Sequence, residues 1–150
     1  MSSRSLRLLI CTGALALAGA APAEEYLGRL GGSPHAAEST ANPYGLYGSR
    51  FSAKSIQNPY GRWGSRFSVE GVRNPHTTGG PRIVAEDGTD LGRLNANRFD
   101  PESVANPYGI HGSRFGAQSI NNPHGLYGSR TSPLSPRNPY TVTPPILIGE

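Results

Sequence analysis

Cysteine is nearly absent: the 150 residues hold one, Cys11. It lies in an N-terminal apolar run, so the chain beyond residue 23 carries no thiol. That excludes disulfides, thiolate nucleophiles and cysteine metal sites there. Lysine is almost as rare, with Lys54 standing alone against 13 Arg. Large aliphatic residues are scarce too. Val, Ile, Leu and Phe fill 23 of the 127 positions after residue 23, below the ~20% line that, with high net charge, marks disorder. Net charge is low, however, because 12 basic residues face 10 acidic ones beyond residue 23. Seven Tyr and one Trp add bulk. These shortages exclude a coiled-coil or long-helix protein and argue against a large enzyme domain. They leave a small, loop-rich fold.

Chain breakers are abundant. Gly 20 and Pro 14 hold 34 of 150 positions, just under the ~25–30% at which composition by itself signals low complexity. The first 23 residues differ in kind. Arg4 and Arg7 precede an apolar run of 14 residues, Leu8 to Ala21, and Ala21-Pro22-Ala23 stands before Glu24. This pattern predicts a signal peptide over 1–23, with its apolar run helical, and a secreted or periplasmic product. The run is shorter than the ~20 residues of a membrane span, so none is expected after cleavage. Ile10 ahead of Cys11 argues against a lipoprotein signal.

The rest is periodic. Asn-Pro occurs at 42, 58, 74, 106, 122 and 138, in steps of 16 with one gap of 32. A longer period overlies it. Leu27-Gly28-Arg29-Leu30 returns 64 residues later as Leu91-Gly92-Arg93-Leu94, and Pro81-Arg82-Ile83-Val84 maps onto Pro145-Ile146-Leu147-Ile148. One repeat domain over 24–150, made of two modules at about 26–89 and 90–150, follows from this.

In Asn42-Pro43-Tyr44-Gly45, Asn, Pro and Gly fill positions i, i+1 and i+3 of a type I turn. Arg50 and Phe51 read as extended. Ser52 suits a cap on one helical turn over Ala53 to Ile56, which must stop before the next Asn-Pro. Strands are expected outside these units. Asp-Gly at 87–88, between apolar segments, predicts a hairpin of 82–85 and 90–94. The 64-residue shift adds strands at 26–30 and 146–149. The fold class is therefore mostly irregular and β, with a small antiparallel sheet of about four short strands beside turn-rich repeats. A regular β-solenoid is excluded, because it would align Arg50 over Arg66 and lose a ladder donor at each Pro.

Four rows of side chains recur: Tyr44, Tyr60, Tyr108 and Tyr140; Tyr47, Trp63 and Tyr127; Phe51, Phe67, Phe99 and Phe115; Ile56, Val72, Val104 and Ile120. All four are expected as core and inter-unit packing, with a ligand-stacking platform as the lesser alternative. The units at 42–52 and 58–68, and the linking piece from Glu86-Asp87-Gly88 through Leu91-Gly92-Arg93-Leu94-Asn95-Ala96-Asn97 to Asp100-Pro101-Glu102-Ser103, resemble an uncharacterised family. Its members are short secreted bacterial proteins with tandem 16-residue NPYGxYGSxFS repeats. The resemblance spans nearly all of 26–150 and implies no activity, so no catalytic or binding residue comes with it. His76 and His124 depart from its Tyr position, and Pro34-His35 from its Arg-Phe position.

The residues point to no catalytic chemistry. None of His35, His76, His111 and His124 has a second ligand at helical spacing, the Gly-Ser pairs lack a nucleophile elbow, and no phosphate loop is present. Glu86, Asp87 and Asp90 lack the alternation of a calcium loop and read as a hairpin turn. No cofactor and no metal is expected. One row has a functional character. Arg50, Arg66, Arg98, Arg114 and Arg130 hold one repeat position beside aromatics, an arrangement suited to anionic polymers through charge and stacking. The competing reading is a solvated face whose Arg stems cover Tyr rings. The expected function is a non-enzymatic secreted or periplasmic repeat protein with a structural or interaction role. The alternative is a binder of anionic envelope polysaccharide through the Arg row. Cell-envelope polysaccharide or another envelope protein is the expected partner, and nucleic acid is not.

Overall fold

The computed structural model describes residues 24–149; the expected signal helix lies outside them. Four strands form in chain order: β1 (Glu25–Arg29), β2 (Arg82–Val84), β3 (Asp90–Arg93) and β4 (Ile146–Gly149). They make one antiparallel sheet in the order β1-β4-β2-β3, and the rest of the described chain is turn or irregular apart from isolated parallel bridges of Arg29 to Ser39 and Arg93 to Ser103. This is the architecture read from the sequence, with bounds shifted by at most one residue. Among the described residues no helix is long and apolar enough to cross a membrane.

The sheet has an internal twofold pattern. In the central pair Ile83 faces Leu147, Arg82 faces Ile148 and Val84 faces Ile146. Residues 83 and 147 are 64 apart, so each strand meets its own counterpart antiparallel about that point. The outer pairs repeat the relation: β3 flanks β2 as β1 flanks β4. Each outer pairing is interrupted by a register shift. Gly28 and Gly92 lie in these irregular stretches at φ 91° and 96°, values that favour glycine. Glu25 opposite Gly149 brings the two ends of the described chain together. The hairpin turn forms as expected, with the Gly88 amide donating to the Ala85 carbonyl at 2.9 Å and Gly88 at φ 91°.

The core sits over this sheet. Leu27, Leu91, Ile83 and Leu147 are fully buried, and Ile56, Ile120, Trp63 and Tyr127 pack with them. Trp63 lies against Gly149, while Tyr127, 64 residues on, hydrogen-bonds through its hydroxyl to Asp87 (2.8 Å) and Thr89 (3.1 Å) of the hairpin turn. A third buried row is polar. Ser39, Ser55, Ser103, Ser119 and Ser135 are at most 2% exposed, and each Oγ accepts the amide two residues on. A small hydroxyl thus satisfies a partly buried amide at each step.

The Asn-Pro units contain no helical turn where one was expected, over 53–56. Ser52, Ser55 and Asn58 are spaced by three, and each takes the amide two residues ahead onto its side-chain oxygen. Such acceptors compete with the i→i−4 bonds of a helix, so the chain closes i→i+3 turns instead, as from Ser55 to Ser52 and Asn58 to Ser55. Arg50 and Phe51, expected as extended, belong to the same run of turns, with the Phe51 amide on Ser49 Oγ. Asn works in both directions. Asn58 Oδ1 accepts the Tyr60 amide at 3.0 Å, and Nδ2 donates to the Ser52 carbonyl at 3.1 Å. The same two bonds recur at Asn42, Asn74, Asn106, Asn122 and Asn138. His76 and His124 keep this turn, since only their amides take part in it.

No strand runs through the Asn-Pro units. Successive units are joined instead by the side chain before four of the six Asn residues of the Asn-Pro units. Gln57 Nε2 reaches the Thr40 carbonyl, Arg73 Nη1 reaches those of Ile56 (3.3 Å) and Gly64 (3.0 Å), and Arg73 Nη2 reaches Gln57 Oε1. In the second module Asn121 Nδ2 donates to Val104 and Gly112, and Arg137 Nη2 to Asn121 Oδ1.

Candidate functional site: arginine and aromatic grooves

Two of the four rows expected in the core lie on the surface. Tyr44, Tyr60, Tyr108 and Tyr140, with Phe51, Phe67, Phe99 and Phe115, are between 88% and 95% exposed. The packing expectation is corrected for these eight rings; it holds for Trp63, Tyr127, Ile56 and Ile120. The cause is local. Tyr44 and Phe51 each sit two residues after a side-chain acceptor, at a turn corner whose amide is tied to Asn42 or Ser49.

The exposed rows meet in pairs. Arg50 and Phe51 of one unit line a groove of about 430 Å³ with Asn58, Pro59 and Tyr60 of the next. The same set recurs as Arg66, Phe67, Asn74, Pro75 and His76, about 530 Å³, and as Arg98, Phe99, Asn106, Pro107 and Tyr108, about 420 Å³. Each groove has an aromatic wall on either side and one guanidinium.

Five acidic groups are paired with basic ones: Glu86 with Arg29 at 2.8 Å, Asp90 with Arg82 at 2.7 Å, Glu102 with Arg93 at 3.4 Å, Glu70 with Arg62, and Glu25 with Lys54. The Arg62 guanidinium also lies 4.5 Å from the centre of the Trp63 ring. Hydrogen bonding from Arg62 holds the Glu70 carboxyl below its ordinary range. The Asp87 carboxyl is likewise lowered, by the Tyr127 hydroxyl and the Thr89 amide. Arg50, Arg66, Arg98, Arg114 and Arg130 are exposed and share no hydrogen bond or ion pair with another described residue.

Of the five sequence-predicted arginines, Arg50, Arg66 and Arg98 each stand in an aromatic groove. Arg98 and Arg114 line a further cavity together, and Arg130 lines none of these. Among the described residues no three His, Cys, Asp or Glu form a metal-holding group. Glu86, Asp87 and Asp90 are bound to Arg29, Tyr127 and Arg82. Sequence reasoning missed the inter-unit linkers Gln57, Arg73, Asn121 and Arg137. Their signal was present: the residue before Asn-Pro runs Ala41, Gln57, Arg73 and then Ala105, Asn121, Arg137. No family model matches the chain, nor does any curated protein or solved structure.

Proposed function

We propose that the chain is a non-enzymatic repeat module, secreted or periplasmic, that binds an anionic envelope polysaccharide along its Arg and aromatic grooves. The observation that carries this reading is the repeated groove: an unpaired guanidinium beside rings that are almost wholly exposed. Aromatic faces offer stacking to a planar or apolar ring surface, and arginine supplies the charge. Repetition suits a repeating ligand, since linked weak sites gain by effective concentration. The pattern at 1–23 and the likeness of the repeats to secreted bacterial proteins support a site of action outside the cytoplasm.

The test is retention of the processed chain on envelope polysaccharide and on heparin across a salt gradient. Each neutralised charge releases counterions, so retention falls steeply with salt. Replacing Arg50, Arg66 and Arg98 together by Gln flattens that dependence without changing the far-UV spectrum. Replacing Phe51 and Tyr60 by Ala weakens retention at every salt concentration. A wild-type chain that is not retained at low salt refutes the polysaccharide reading. The interaction role then falls to an envelope protein partner.

A further inference from the structure

The second module holds a cavity unlike the aromatic grooves. It measures about 410 Å³, and Arg98, Arg114, Arg137, Asn121, Pro107 and Pro123 are on its wall. Three arginine residues line this space, and no carboxylate residue does. Arg98 and Arg114 have no partner among the described residues. Arg137 makes one side-chain hydrogen bond, Nη2 to Asn121 Oδ1 at 3.1 Å, which leaves Nε and Nη1 unused. Asn121 is itself fixed, with Nδ2 bonded to the Val104 and Gly112 carbonyls, so its oxygen can orient Arg137.

The first module has the corresponding cavity, about 340 Å³, lined by Arg50, Gln57, Pro59 and Arg73. It differs in two ways. Pro34 stands where the second module has Arg98. Arg73 is committed to structure, with Nη1 on two carbonyls and Nη2 on Gln57 Oε1. The two modules have therefore diverged at this place: one cavity concentrates unsatisfied arginine donors, while the other uses its arginine to join units.

We infer that the Arg98, Arg114 and Arg137 cavity binds a compact tetrahedral oxyanion, a phosphate or a phosphate ester. Planar guanidinium forks pair bidentately with such oxygens, and three arginines lining one space without a carboxylate suit a dianion. The inference deepens the polysaccharide reading, and partly rests on it, by naming a group the ligand carries at one point along the array.

Isothermal titration of the processed chain at low ionic strength tests it, with inorganic phosphate in one arm and glucose 6-phosphate in the other. One saturable site per chain is expected. Arg137→Gln and Arg98→Gln each weaken it at least tenfold, and Arg73→Gln leaves it unchanged. Phosphate binding at least as tightly as the ester identifies a free-ion site, and a tighter ester identifies a sugar-borne group. Should Arg137→Gln fail to fold, Arg98→Gln still decides, because Arg98 makes no bond whose loss would disturb the chain. No saturable phosphate binding, or equal weakening by Arg73→Gln, overturns the inference. Failure of the broader reading looks different: phosphate binds and responds to Arg137→Gln, while the wild type is not retained on polysaccharide.

Discussion

Gly64→Ala places one methyl group where the fold has no room, and the structure gives the reason. Gly64 has no positive φ, so the backbone itself would tolerate alanine. A Cβ there would overlap the Asn58 carbonyl oxygen and stand 2.7 Å from that of Ile56 and 2.9 Å from the Asn58 carbonyl carbon. All three are backbone atoms, so relief means moving the chain. Gly48, Gly112 and Gly128 face their own Asn carbonyls in the same way. Overpacking of this kind costs about 1–3 kcal/mol. The displacement also disturbs the Arg73 bonds to Ile56 and Gly64, each worth about 0.5–1.5 kcal/mol. A loss of about 3 kcal/mol, lowering Tm by roughly 10 °C for a chain of this size, is the expected result. Trp63 is the one tryptophan, 2% exposed and adjacent, so its fluorescence reports the transition. Gly61→Ala is the control, because its nearest neighbour would be the Asn58 side chain at 3.2 Å. A Gly64→Ala melting curve within about 2 °C of wild type, or a larger loss for Gly61→Ala, would refute close approach as the reason for this glycine; each kcal/mol corresponds to a few degrees.

Asn106→Asp keeps the acceptor for the Tyr108 amide but removes the Nδ2 donor to the Asp100 carbonyl. An unsatisfied, partly buried carbonyl facing a carboxylate lowers stability by about 1–3 kcal/mol, read from the urea midpoint. Gly88→Val meets no neighbour within 4 Å but must adopt φ near 91°, so it costs about 1–2 kcal/mol in thermal melting through backbone strain alone. Tyr26 has its pKa pushed up to about 12, by burial first and then by its hydrogen bond to Glu38 at 2.6 Å. Its folded-state pKa lies above the ordinary value near 10, so its stabilising contribution is present below pH ~10 and is lost as pH rises towards 12. Alkaline difference spectroscopy of wild type and Tyr26→Phe isolates this late-ionising phenol, and its absence from the wild-type curve counts against the Glu38 contact.

Local signals decided what is local in this protein. Asp87-Gly88 specifies a hairpin because the turn needs a positive φ that glycine supplies without steric cost. The 64-residue echo marks β1 and β4 because apolar segments repeated in sequence take the same place in each half of the sheet. Asn-Pro-x-Gly sets its own turn through bonds within a few residues. What tertiary structure alone decided is which face each recurring side chain occupies. Phe51 and Ile56 are both apolar and periodic, yet one is exposed and the other buried. Hydrophobicity cannot separate them in a chain of three-residue turns, where neither the 3.6 nor the 2.0 period assigns a side. Side-chain direction follows from the turn bonds at each corner and from how the units stack. Stacking runs through Gln57, Arg73, Asn121 and Arg137, whose partners are 9 to 17 residues away. The same packing puts Arg98, Arg114 and Arg137 around one cavity. Nothing in their separate positions along the chain specifies that convergence, because it exists only once the units lie against one another.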